Sequence, residues 1–190
     1  MWRACLFALA VIIVAVTIAA APPEEGAEKP HYNQSGELQR PENYREWIFL
    51  SAGYGMNYSP APGSHDMFTD VFVPQWAYKE FLRSGTWPDK TTFVIDERMA
   101  QTKGSINKHG VFQTDSMGLA VEVKDSSLPD KWAYFSFDNN KTAAANPKEA
   151  CFSCHEKNAA VEHSFVQFYP TLKPIAKKFG TYRDSAENVQ

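Results

Sequence analysis

Two cysteines, Cys151 and Cys154, stand three residues apart with His155 directly after the second. The chain's third cysteine, Cys5, lies among the first residues of the N-terminal segment 1–21. Two cysteines cannot staple a domain of this length, so the fold must rest on its own apolar core. Aromatic residues make up 14% of the 190 residues, enough buried area to offset chain entropy and exclude disorder. The formal charge of −3 excludes a nucleic-acid binder, whose affinity needs clustered cations against phosphate.

Met1-Trp2-Arg3 followed by the apolar stretch Leu6–Ile18 and the small residues Ala19, Ala20 and Ala21 has the order of an export signal. The alternative is an uncleaved anchor, since the uncharged run is about the minimum length for a membrane span. Either reading puts the body outside the cytoplasm, in the periplasm or beyond. Cys5 precedes the apolar run, the wrong place for a lipid-bearing cysteine. Residues 22–40 are rich in Pro, Glu, Gly and Lys and read as a flexible lead-in. One domain over 41–180 and a tail over 181–190 complete the organisation.

Within the domain, Trp47–Leu50, Phe68–Val73, Thr91–Met99, Phe112–Lys124 and Trp132–Phe137 read as strands. Pro74 opens a helix that Gly85 and Pro88 end. On the Thr91–Met99 strand, Phe93, Ile95, Glu97 and Met99 share one face, and Val94, Asp96 and Arg98 the other. Met117, Leu119, Val121 and Val123 form an apolar row, while Gly118 and Ala120 leave the other face bare. Two helical stretches follow, over 146–160 and 163–178, with Pro170 and Pro174 interrupting the second. Strands first and helices last give an α+β fold: a mainly antiparallel sheet with a C-terminal helix carrying the cysteine motif.

Cys151-Phe152-Ser153-Cys154-His155 is the C-x-x-C-H pattern of covalent c-type haem attachment. Residues three and four apart share a helix face, so two thiols can each add to a vinyl group while His155 reaches the iron. Asn146 as N-cap, Pro147 after it and Glu149 two further on give this helix its start. A redox C-x-x-C would need a βαβ setting, and a structural zinc site four ligands; the surrounding sequence supplies neither. The expected cofactor is one haem c per chain, held by Cys151 and Cys154, with His155 as the iron ligand. Met56, Met67, Met99, Met117, His31, His65, His109 and His163 are the candidates by residue type for a sixth ligand.

From about Gly36 to Leu172 the chain resembles the cytochrome P-460 family and its relatives, the cytochromes c′-beta. The resemblance is carried by Pro41-Glu42-Asn43-Tyr44-Arg45-Glu46-Trp47, by Val71-Phe72-Val73 running to Tyr78, and by the turn from Gly85 to Thr91. Trp132-Ala133-Tyr134-Phe135, the cysteine motif and Phe165-Val166-Gln167-Phe168-Tyr169-Pro170 complete it. It implies a five-coordinate haem and usually a homodimer. The family's hydroxylamine-oxidising members carry a haem-linked lysine, a distal arginine and an acid. Aligned on Asp89 and Thr91, these positions fall on Ile95, Thr69 and Ala120. The resemblance therefore implies an apolar distal pocket, lined by Ile95, Thr69, Ala120 and Phe93, that takes NO or a similar small ligand and can pass single electrons to a redox partner. Phe68, Phe72 and Phe93 are the candidates for an aromatic cap. The alternatives are a hydroxylamine- or nitrogen-oxide-oxidising enzyme, with Glu97 or Glu122 as a relocated base, and a six-coordinate electron carrier.

Overall fold

The computed structural model describes residues 28–56 and 66–187. The export segment and His65 lie outside the described residues. Among the described residues no helix is long and apolar enough to cross a membrane.

Five antiparallel strands in sequence order form the main sheet: β2 (Ile48–Tyr54), β3 (Met67–Val73), β4 (Thr92–Gln101), β5 (Phe112–Lys124) and β6 (Trp132–Phe137). A two-stranded ribbon pairs β1 (Leu38–Gln39) with β7 (Thr142–Ala143). Helix α1 (Gln75–Ser84) connects β3 to β4. Pro74 is its N-cap, and Gly85, in the left-handed region at φ 72°, returns its N–H to the Phe81 carbonyl and ends it. Two short helices close the chain, α2 (Phe152–Asn158) and α3 (Lys173–Phe179). This is the α+β fold expected from the sequence.

Strand alternation gives the sheet two faces with different coverings. Facing register pairs put Val94, Leu119, Val121, Val123, Phe135 and Phe137 on one side, where Leu38, Tyr44 and Trp47 seal them into a core. The lead-in read over 22–40 is thus ordered in its described part. Asn33 turns the chain by accepting the N–H groups of Ser35 and Glu37, and Leu38 is fully buried. The other side carries Val73, Phe93, Trp132 and Tyr134, packed against α1 and the C-terminal segment through Phe81, Trp87, Phe152, Val166 and Leu172.

Phe68 and Phe72 pair with Arg98 and Val94, so they lie on the lead-in side and are no cap for a group bound opposite. Phe93 is on the helix side but fully buried between Trp87 and Trp132, which makes it core. Gly118 has a local reason to be small: a Cβ there would meet the Phe137 carbonyl oxygen at 2.8 Å.

The helices depart from the sequence reading. Residues 148–151 form turns and α2 begins only at Phe152, with Cys151 as its N-cap. The Asn146 side chain does not cap it; its Nδ2 donates to Ser136 Oγ at 3.0 Å, tying the loop to β6. The stretch over 163–178 becomes a 3-10 turn (Val166–Phe168), an extended Tyr169 and then α3. Pro170 forces that break, because the residue before a proline is pushed out of helical conformation.

Candidate functional site

Helix α2 is short, so it owes its position to its ends. At its C-terminal end the last carbonyls have no partner inside the helix. Arg183 donates from Nη1 to the Glu156 carbonyl at 3.1 Å, and from Nη2 to the carbonyls of Lys157, at 2.7 Å, and Ala159. Gln167 Nε2 donates to the Asn158 carbonyl at 2.9 Å, and its Oε1 accepts from the Ala160 N–H at 3.0 Å. A cation at a helix C-terminus also complements its dipole. Residues 181–187, which read as a tail, thus fix the helix, and Ala186 is buried. Ser164 anchors the following turn: its hydroxyl accepts from the Trp87 indole N–H at 2.6 Å and donates to the Val161 carbonyl at 2.9 Å.

His155 is held in one orientation. Its Nδ1 lies 2.8 Å from the His163 carbonyl oxygen. A carbonyl only accepts, so Nδ1 carries the proton and the Nε2 lone pair is left for a ligand bond. The ring is gripped by Tyr134 and Phe165, each at 4.5 Å between centroids. Nε2 lies 3.6 Å from Glu122 Oε1 on β5, slightly beyond hydrogen-bond length. Glu122 is buried, and its second oxygen, Oε2, has no partner among the described residues. Burial pushes its carboxyl up from the ordinary range, against the pull of His155. Burial, and then the Glu122 charge, likewise raise the Tyr134 hydroxyl.

Cys151 and Cys154 are both free thiols, half-buried on the opening turn of α2. Each sulfur has an amide beside it: Asn146 Nδ2 at 3.8 Å from Cys151, Asn158 Nδ2 at 3.4 Å from Cys154. Register places Thr69, Ile95 and Ala120 on the side of the sheet that Glu122 faces, with Thr69 opposite Glu97 and Ile95 opposite Ala120. All three are only partly covered by the chain, unlike the sealed core below them.

The sixth-ligand candidates sit elsewhere. Met67 and Met99 pair with each other near the far end of the sheet, and Met117 lines a cavity there with Met99. Met56 closes the segment after β2, His109 is exposed between β4 and β5, and His31 lines a cavity on the lead-in side. His163 supplies a carbonyl to His155, and its ring packs on Trp132 and Phe152. Burial lowers its ring pKa, with His155 adding to the effect.

The residues fit a haem. Two adjacent free thiols, an imidazole with its tautomer fixed by a carbonyl, an orphaned buried carboxylate oxygen and a half-covered strip of sheet are what such a group would complete. Sequence reasoning missed Tyr134, Phe165 and the His163 carbonyl as the grip on His155. The carbonyl leaves no side-chain signal. Gln167 and Arg183 were also missed, although a helix this close to a C-terminal glutamine and arginine could have raised the question of who caps it.

No curated protein matches the chain. The cytochrome P460 family model matches residues 41–166, from the segment sealing the far face of the sheet to the turn after His155. The chain belongs to the cytochrome P460 family, and is a haem-binding cytochrome.

Proposed function

We propose that this chain is an exported monohaem cytochrome of the c′-beta type, binding NO or another small uncharged ligand and able to pass single electrons. The observation that carries the reading is the His155 Nδ1 bond to the His163 carbonyl, which presents Nε2 as a permanent ligand atom. Cys151 and Cys154 hold the group covalently. Each thiol would add across a vinyl double bond, sulfur to one carbon and hydrogen to the other, so that nothing leaves and the mass rises by one whole haem. A bound haem would supply an iron able to take a small diatomic ligand.

The protein's part is selection. Ile95, Ala120 and Thr69 offer no charged group to a bound ligand, so the half-covered strip they form favours small neutral molecules over anions. Tyr134 and Phe165 exclude water from the His155 ring and prevent its rotation. Export rests on Met1–Ala21, and a homodimer on the resemblance; size-exclusion chromatography of the holoprotein tests the latter.

A second reading, oxidation of hydroxylamine or a nitrogen oxide, is favoured by one feature: Glu122 Oε1 at 3.6 Å from His155 Nε2. A buried carboxylate on the face shared with Ile95 and Ala120 would be the base for a bound N–H or O–H. The test is expression with haem-attachment machinery, then mass and visible spectra. The first reading expects one added haem, an ordinary haem c spectrum, and a Soret shift of the reduced protein with NO or CO. A reduced spectrum unmoved by either gas refutes it. Hydroxylamine turnover that disappears in Glu122→Gln would establish the second instead.

A further inference from the structure

A cavity of about 480 Å³ lies on the other side of the sheet, between the lead-in, the β1–β7 ribbon and the start of β4. Its lining includes three cations, Lys29, Arg40 and Lys141, and one acid, Glu42. A local excess of positive charge in a chain of net charge −3 is a departure that needs a reason. The walls are ordered. The Arg40 N–H donates to the Lys141 carbonyl at 2.8 Å, which extends the ribbon by one bond. Arg40 Nη1 donates to the Asp138 carbonyl at 2.9 Å, so the guanidinium is held in place. Lys29 lies over the Trp76 ring, 5.9 Å from its centroid.

The same cavity is lined by Thr92, which is 1% exposed and whose hydroxyl has no hydrogen-bond partner among the described residues. A buried hydroxyl without a partner costs stability, so such groups are rare unless something else completes them. Trp47, also buried, gives the cavity an apolar wall. The volume falls within the ordinary range for small-molecule sites.

We infer that this cavity binds a small organic anion, a carboxylate or phosphate monoester with an apolar body. Its oxygens are held by Arg40, Lys141 and Lys29, its body rests on Trp47, and a polar atom satisfies Thr92. The site is separated from His155 by the thickness of the sheet, so its occupancy is independent of the iron ligand.

Isothermal titration calorimetry of the holoprotein at low salt, with phenyl phosphate, benzoate and choline, tests this. Phenyl phosphate or benzoate binds and choline does not; which anion is tighter identifies the head group. Arg40→Gln weakens binding about tenfold, the loss expected for a charge-assisted pair. Thr92→Val weakens binding about threefold, as one neutral hydrogen bond would, yet leaves the free protein as stable as before or more so. That pairing separates a ligand group from a structural one. The visible spectrum stays unchanged on binding. Three results would overturn the inference: neither anion binding at millimolar concentration, affinity unchanged in both variants, or a Soret shift on binding, which would put the anion at the haem.

Discussion

Asp96 offers the sharpest separation of stability from function. It is 1% exposed on the lead-in face of β4, and one carboxylate takes four bonds: Tyr44 Oη at 3.1 Å, Arg45 Nη2 at 3.0 Å, Arg98 Nη1 at 3.0 Å and Ser116 Oγ at 2.6 Å. The Asp96→Ala variant leaves these donors without their acceptor. The Arg45 side chain is 59% exposed and rehydrates, so its bond counts for little. Arg98, at 20%, also donates to the Thr114 carbonyl at 2.5 Å and is anchored there. Counting the Arg98 bond, the two bonds from neutral donors, and the desolvated donors left behind gives a loss of about 3–4 kcal/mol. That is a large part of the ~5–15 kcal/mol typical of a domain, and corresponds to a fall in Tm of roughly 8–14 °C at this size. Asp96→Asn keeps the volume and an acceptor and should lose about half as much. Urea unfolding of the holoprotein followed by tryptophan fluorescence measures both, and the gas-induced Soret shift reads the site. A loss below about 0.5 kcal/mol would refute the bond count. A changed gas affinity would refute the separation of the two faces.

The other predictions are briefer. Gly85 and Gly180 both hold φ near +70°, but a Cβ at Gly180 meets nothing while one at Gly85 comes within 2.7 Å of Phe179 Cβ. Gly180→Ala should therefore cost only the left-handed strain, about 1 kcal/mol, and Gly85→Ala clearly more, about 2–4 kcal/mol, in paired urea titrations. Arg183→Ala should destabilise the protein by about 1–2 kcal/mol and speed hydrogen exchange at the amides from Asn158 to Val161, since the clamp on α2 is gone. Burial alone would raise the Asp125 carboxyl, but the bonds from Lys90 and Ser127 outweigh it and hold it below the usual range. Its stabilisation is thus complete above about pH 4, the unfolded value, and lost as pH falls through the lower folded one. Stability profiles from pH 6 to 2 should show Asp125→Asn less stable at neutrality and flatter in acid.

What the sequence reveals depends on whether a feature is set by neighbours in the chain. β5 and β6 match their expected bounds, Phe112–Lys124 and Trp132–Phe137, because alternation is a local signal. The helix expected from Asn146 fails because Asn146 has a better partner, Ser136 on β6, ten residues back and across a turn. The lead-in is opaque for a similar reason. Leu38 is one apolar residue in a polar stretch, and only its antiparallel pairing with Ala143 makes it core. At the site, the cysteines and His155 are legible because attachment chemistry fixes their spacing. The pattern Val121-Glu122-Val123 also says that Glu122 faces away from the apolar row. That it faces His155 is a tertiary fact which no spacing carries.

Glu122 then bears on how the two faces divide their work. On the lead-in face the buried carboxylate of Asp96 is bonded on both oxygens. The other face leaves a strip half-covered and keeps a buried carboxylate with one oxygen unpartnered. Burying such a group without compensation costs several kcal/mol, and an apolar residue of similar volume would avoid that cost. The chain therefore carries a half-partnered buried carboxylate on the face where His155 presents its ligand atom. Stabilities of Glu122→Leu and Glu122→Gln, measured with and without attached haem, locate its compensation. If the carboxylate is completed by the bound group, Glu122→Leu gains stability in the cysteine-less protein and loses that gain in the holoprotein. Equal gains in both would mean that Glu122 is unsatisfied even when the site is filled, and is retained for chemistry rather than for binding.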